Sequence, residues 1–386
     1  MVTFAQDRNG GGAVARYPVL DALRGLAALG VVFHHIPASS GLSAAGWDIN
    51  FGRLVDLFFV ISGFVITSAY GTRLAGGFSF LRFAWLRWGR IWPLHAVMLA
   101  LFLIAMAGLG LARPDMRVNG ILAGRQDIAD LPAALLLLNG FVPITGMAWN
   151  HPSWSVSIEM VLYVLAALAW RWLGQGAVAA ALIAAALALA MLLLDPEALG
   201  LAYDLARGIA GFGLGMALHA VFTALRPSAN SSSALFTALE ITALVALGAV
   251  LWGSGNIAAF DLAAVAFVGL GAIGKGMVSK LLETRPFQLL GTLSYALYMV
   301  HVFVIGRVFD LLGVVQGRLG MTIAETRFGG ADTLVGPDWQ ADLAKLTIIA
   351  ICLAAAWPAA VLIERPARAW SRRKAASFPS TPVSGN

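Results

Sequence analysis

Arg24 and His35 stand eleven residues apart in LRGLAALGVVFHHIP (residues 23–37), an apolar run of membrane-helix type. A guanidinium can hold an anion, and an imidazole titrates near neutral pH and can move a proton. At about 100° per residue, with Asp21 at zero, Arg24 falls near 300°, His35 near 320° and His34 near 220°. Asp21, Arg24 and His35 therefore share a face with Gly25, Ala28 and Val32, a small-residue face suited to a crevice, and His34 points elsewhere. The rise from Arg24 to His35 is about 16 Å. His34 is expected against a neighbouring helix or the interface. The glycines of GIAGFGLGMAL (208–218) are candidates for close packing beside this face.

Further polar residues interrupt apolar runs. Asp56 and Ser62 lie in DLFFVISGFVIT (56–67). Asp56 can orient a histidine or form a structural ion pair with Arg53 or another cation. Arg87 and Arg90 are neighbours on a helix in RFAWLRWGRIWPLH (82–95), between Trp85, Trp88 and Trp92. Composition alone favours lipid anchoring of this segment; the other reading is forked hydrogen bonding to phosphate. Ser155 and Glu159 share one face in NHPSWSVSIEMVLY (150–163), and Ser294, Tyr298 and His301 form a stripe in SYALYMVHVFV (294–304). Tyr295 suits an interfacial belt. Glu364 beside Arg365, in IERPARAW (363–370), reads as a local pair.

The elements that must carry these groups are membrane helices. Of 386 residues, 59% are hydrophobic and 12% charged, half the charge of an ordinary soluble domain, and the mean hydropathy is +0.81. The expected fold is an all-α polytopic membrane protein with about ten spans, at 18–37, 51–70, 91–112, 154–173, 176–194, 201–222, 234–253, 256–274, 287–311 and 343–364. The run at 131–143 is too short to span and is expected to be re-entrant or interfacial. Lys and Arg cluster in alternate connections and in the tail, which places both termini in the cytoplasm. The division is an N-terminal segment 1–17, a membrane domain 18–366, and a tail 367–386 that is basic, then disordered. The first apolar run lacks a small-residue cleavage site and is expected to be retained. The basic pI of 9.8 fits cytoplasmic loops, so lipid and not nucleic acid is the expected partner. The single cysteine, Cys352, excludes a Cys-based metal cluster, and no metal is expected.

Six stretches, LDALRGLAALGVVFHH, VDLFFVISGFVIT, RWGRIWPL, WSVSIE, SYALYMVH and IERP, together resemble acyltransferase family 3, in order and spacing over residues 18–366. Met160 departs from the pattern, where members often carry a second acid. The resemblance implies O-acylation of bacterial surface glycans and similar acceptors, in the inner (cytoplasmic) membrane. The donor would be cytoplasmic acyl-CoA, acetyl-CoA above all, and the acceptor a hydroxyl of a glycan or lipid-linked sugar. It implies that His35 is catalytic, as general base or acyl carrier, and that Arg87 and Arg90 bind the donor. In chemical terms Asp56 or Glu159 could hold the imidazole tautomer, and Arg24 could bind the donor or a developing oxyanion. Asp21, Ser62, Ser155, Tyr298 and His301 are supporting groups. A donor channel is expected along the Gly25–Ala28–His35 face. The intramembrane charges also admit a transporter or flippase, and a structural subunit is a third reading. The R-x-x-R pair and the His/Glu set favour the enzyme. No internal repeat is visible to favour a transporter.

Overall fold

The computed structural model describes residues 3–5, 14–39, 41–43, 46, 48–112, 130–141, 149–225, 232–253, 256–320, 322–326 and 332–378. The expectations for most of residues 1–13, for Arg226, for 113–129 and for the Ser/Pro-rich end of the tail lie outside the described residues. Pro18 opens α1 (Pro18–His34), where a fixed φ and a missing N–H suit the first turn. α2 (Leu54–Ile66) runs through a π turn, Thr67–Gly71, into α3 (Thr72–Ala75). α4 (Phe80–Ala112) is followed by the short α5 (Leu131–Leu135), then α6 (Ser153–Leu173) and α7 (Gly176–Leu194). Next come α8 (Tyr203–Leu225), α9 (Ser233–Trp252), α10 (Ile257–Ile273) and α11 (Met277–Leu282). α12 (Arg285–Leu319) leads to α13 (Asp338–Pro358), a π turn at Ala359–Glu364 and α14 (Arg365–Ala375). Asn256 caps α10 by accepting from Ala259 N at 3.0 Å, and Gly274 ends it in a left-handed conformation.

Each expected span falls on a helix. Eight helical stretches among the described residues are long and apolar enough to cross a membrane. The runs expected at 18–37 and 256–274 are helices of 17 residues, about 25 Å long against a hydrocarbon core of about 30 Å. The chain is thus an all-α membrane protein. α7 and α9 leave large side chains such as Leu187, Leu194 and Val245 on the outside, the pattern of lipid-facing helices. The arginine-rich stretch 82–95 is continuous with the helix after it, because Pro93 lies within α4 without ending it. The 131–141 stretch is one short helix and turns tucked against α4 and α6. The His95 ring donates to Ala134 O at 2.7 Å, Trp92 Nε1 to Leu135 O at 2.9 Å, and Ser157 Oγ to Leu137 O at 2.5 Å.

Glycine sets the two tightest crossings. A Cβ on Gly25 would lie 2.6 Å from Gly291 N, so α1 lies directly on α12 there. A Cβ on Gly63 would meet Phe212 O, and one on Gly215 would meet Val60 O, so α2 and α8 touch backbone to backbone. Of the 208–218 glycines, Gly211 and Gly215 pack on α2, Gly213 on α7 and Gly208 chiefly on α6, so they do not lie beside the crevice face of α1. Close approach of this kind is how membrane helices gain packing where the surrounding lipid is equally apolar.

Beyond α1 the chain is fixed from two sides. Besides the short antiparallel pair β1 (Thr3–Ala5) and β2 (Val14–Arg16), β3 (Ala324–Thr326) and β4 (Asp332–Leu334) form a second antiparallel pair. Leu334 N donates to Pro37 O at 2.9 Å and Ser39 N to Leu334 O at 3.0 Å, which anchors the residues just after His35. Buried Lys345 donates to Ser43 Oγ at 2.6 Å and to Asp48 Oδ2 at 3.0 Å, and it sits 3.6 Å above the Phe33 ring.

Gly215→Val is expected to destabilise the protein by about 1–3 kcal/mol, the range for overpacking, because the obstacle is the Val60 backbone. Gly248→Val, with nothing within 4 Å of its Cβ, is expected to leave thermal unfolding in detergent unchanged.

Candidate functional site

Three adjoining cavities run from the N-terminal end of α1 to its C-terminal end. The first, about 430 Å³, is basic. Arg16 and Arg24 enter it from the start of the chain, Arg73 from α3, and Arg82, Arg87 and Arg90 from α4. Arg368 and Arg372 close it from α14. Asp21 is the carboxylate among the lining residues, and it accepts from Arg16 Nε at 3.2 Å. Aromatic faces hold several guanidinium groups: Arg73 lies 4.4 Å from the Phe78 ring centre, and Arg87 lies 5.1 Å from that of Tyr70 while donating to its hydroxyl at 3.1 Å. The Nε atoms of Arg82 and Arg87 are buried without a hydrogen-bond partner. Eight cations line one space with little acid to answer them, an arrangement whose chemistry suits a multiply charged anion.

Arg24 and Arg90 also line the second cavity, a chamber of about 60 Å³ between α1, α2, α4, α6 and α12. Glu159 Oε1 accepts from Ser62 Oγ at 2.5 Å and from the Tyr163 hydroxyl. Arg24 Nη2 reaches Ser62 Oγ at 3.5 Å, so a polar chain runs Arg24–Ser62–Glu159–Tyr163. Ser155 and Tyr298 are joined through their hydroxyls at 2.8 Å, and Ser294 completes the polar lining. Tyr295 also borders this chamber and donates to Ile91 O at 2.6 Å. It is a packing residue inside the bundle and not a member of an interfacial belt.

Val55 and Tyr298 line both the chamber and the third cavity, about 330 Å³, which holds the histidines. His35 Nδ1 lies 2.8 Å from Val31 O. A carbonyl only accepts, so Nδ1 carries the hydrogen and Nε2 keeps its lone pair. His301 lies 5.0 Å from His35 between ring centres and His151 lies 6.2 Å away. His301 is fully buried, with Nδ1 bonded to Tyr298 O and Nε2 unpartnered. His34 turns its Nδ1 to Asp48 O at 2.8 Å yet still borders the cavity. Among the described residues no group of three His, Cys, Asp or Glu side chains is placed to hold a metal ion.

The geometry moves several sequence expectations. Neither carboxylate holds the His35 tautomer, since a backbone carbonyl does so. Fully buried Asp56 accepts from Arg207 Nε at 3.0 Å and Nη2 at 3.3 Å. Arg207 also donates to Asp204 at 2.8 Å. The passage follows Arg24, Val31 and His35, while Gly25 and Ala28 are taken up in helix packing. Glu364 pairs with Arg368 at 3.2 Å, one helical turn on, in preference to adjacent Arg365. α14 crosses the expected domain boundary at 366 and packs on α4. Arg24, Arg87 and Arg90 do meet, as do Ser62 and Glu159. Sequence reasoning passed over Arg207, His151, Tyr163, Arg368 and Arg372 as site residues. Arg207 was findable as an ionisable group inside a span, and His151 stands beside Ser155 in a stretch already singled out.

Apolar helices around three adjoining cavities define an integral membrane protein with polar side chains buried in the bundle. The family model described as an acyltransferase domain matches residues 17–360, and the chain belongs to acyltransferase family 3. Protein 2 in picA locus, from Rhizobium radiobacter, is 32% identical over 167 residues, 41% of this chain and 82% of that protein. No solved structure matches.

Asp56→Ala is expected to destabilise by up to about 3–5 kcal/mol, because it leaves the buried Arg207 guanidinium with Asp204 as its remaining carboxylate. Asp56→Ala with Arg207→Met should recover much of that loss in thermal unfolding. A double variant no more stable than the single one would show that the pair is not what Asp56 supplies.

Proposed function

We propose that this acyltransferase moves a short acyl group, acetyl above all, from coenzyme A in the basic cavity to a hydroxyl in the histidine cavity. The observation that carries the proposal is continuity: Arg24 and Arg90 belong to both the basic cavity and the chamber, and Val55 and Tyr298 to both the chamber and the histidine cavity. One elongated donor can thus keep its phosphates at one end of α1 and deliver its thioester towards the other. The phosphates bind Arg87 and Arg90, with Arg24 at the mouth of the chamber. The pantetheine arm threads past Ser62, Glu159 and Tyr298.

At the far end, the His35 Nε2 lone pair takes the proton of the acceptor hydroxyl as its oxygen attacks the thioester carbonyl. The carbon–sulfur bond then breaks, and the leaving thiolate takes that proton. A His35-borne acyl group would use the same lone pair. Glu159 and Ser62 hold Arg24 in place, and Arg207 and Trp154, with the guanidinium 5.2 Å from the ring centre, form the wall facing His35. Polar, aromatic lining of this kind suits a sugar hydroxyl, so the acceptor is a glycan or a lipid-linked sugar. The basic end faces the cytoplasm of a bacterial inner membrane, both termini included, with ten spans in all.

Purified protein is expected to transfer or hydrolyse acetyl groups from acetyl-CoA. His35→Ala should lower that rate about 10²–10⁴-fold, the range for loss of an acid–base group, and His34→Ala should largely spare it. Full turnover in both variants would remove His35 from the chemistry. Arg87→Ala with Arg90→Ala should weaken acetyl-CoA binding by calorimetry about tenfold or more, and an unchanged constant would return the pair to lipid anchoring.

A further inference from the structure

α14 lies beyond the matched acyltransferase domain, which ends at residue 360, yet it forms one wall of the basic cavity. Its placement is specific. Trp85 Nε1 donates to Ser371 O at 3.1 Å and Ser371 Oγ to Trp85 O at 3.2 Å. The Trp85 and Trp370 rings meet at 5.2 Å between centres. Gly89 has no space for a side chain, because a Cβ there would run into Ser371. These contacts lock the helix to α4 in the turns that carry Arg82, Arg87 and Arg90.

With the helix so fixed, Arg368 and Arg372, one turn apart, line the cavity, and the next residue, Arg373, does not. Arg368 is tied to Glu364 at 3.2 Å, which leaves the rest of its fork of donors for another acceptor. Neither arginine lines the chamber, so both act on the part of a ligand farthest from the reacting carbonyl. In coenzyme A that part is the phosphorylated nucleotide.

We propose that α14 is a component of the donor site, with Arg368 and Arg372 binding the phosphates of the coenzyme A nucleotide beside the arginines of α4. The inference rests on the coenzyme A reading and adds to it a segment outside the matched domain. The donor would then be held by two adjoining helices: α4 supplies one set of guanidinium groups and α14 the other. Forked arginine–phosphate bonds are strong enough for each to change affinity measurably.

The test compares two donors, acetyl-CoA and acetyl-pantetheine, which lacks every phosphate. Arg368→Ala with Arg372→Ala is expected to lower kcat/KM for acetyl-CoA about tenfold or more, chiefly through KM, and to leave kcat/KM for acetyl-pantetheine unchanged. Arg372→Ala alone, which breaks no ion pair in the free protein, should show the same selectivity to a smaller degree. Arg373→Ala should behave as the unaltered protein does. Equal losses with both donors would mean that α14 only supports the fold or anchors to lipid, and would overturn the proposal. Full preference for acetyl-CoA in the double variant would overturn it too, while leaving the coenzyme A reading intact. No preference for acetyl-CoA in the unaltered protein would sink the coenzyme A reading and this inference with it.

Discussion

A charge inside a helical bundle in hydrocarbon must be answered by another charge or by hydrogen bonds, because water is not there to do it. Most of the buried charge in this molecule is answered from within. Asp56 takes Arg207, Lys345 takes Asp48 and Ser43, and Glu240 accepts from Ser279 and from the backbone N–H of Gly276. Glu159 takes Ser62 and Tyr163. Buried Asp261, whose two carboxylate oxygens lack a hydrogen-bond partner, departs from this pattern, and so does the arginine cavity. The cavity gathers eight guanidinium groups around a space in which Asp21 is the lining acid, and two of those groups keep buried, unpartnered N–H donors. That imbalance is the basis of the proposed donor site: a multiply charged anion would supply the negative charge that the lining lacks.

The same constraint explains why the passage has its shape. Backbone-to-backbone contacts at Gly25–Gly291 and Gly63–Phe212 leave no space between those helices. The open volume is displaced to the seam where α1, α2, α4, α6 and α12 meet. The chamber is narrow because aromatic side chains, Phe58, Phe59, Tyr163 and Tyr298 among them, fill that seam. The histidine end widens again, bordered by Ile49, Asn50 and Gly52, which follow the Asp48 that Lys345 holds. Arg24 and His35 sit at opposite ends of this route because the helix rise separates them by about 16 Å.

Much of this was legible in the sequence because it depends on single helices. The common face of Arg24 and His35 follows from the helix period, and both line the passage. The pairing of Arg87 with Arg90 follows the same way. The family pattern added the order of the motifs, and the domain match covers the first five of the six, ending at residue 360 before IERP (363–366). Less legible were contacts between helices distant in the chain. Nothing near Asp56 in sequence announces Arg207, 151 residues later. The route beside Gly25 and Ala28 misled because a small-residue face can border a crevice or a neighbouring helix, and only α12 decides which. The span expected to begin at residue 91 hid the continuity of α4, since Pro93 and the arginines look like an ending. Reading the tail as a simple basic extension missed α14, whose place on α4 is set by two hydrogen bonds between Ser371 and Trp85 and by the Trp85–Trp370 contact.

The most direct test is a cryo-electron microscopy map of the detergent-solubilised protein with acetyl-CoA. The account predicts density for the nucleotide phosphates among Arg87, Arg90 and the arginines facing them, with the arm passing Arg24 and Ser62 and the thioester pointing towards His35. Density for coenzyme A outside the arginine cavity, or an arm that leaves the chamber empty, would contradict it.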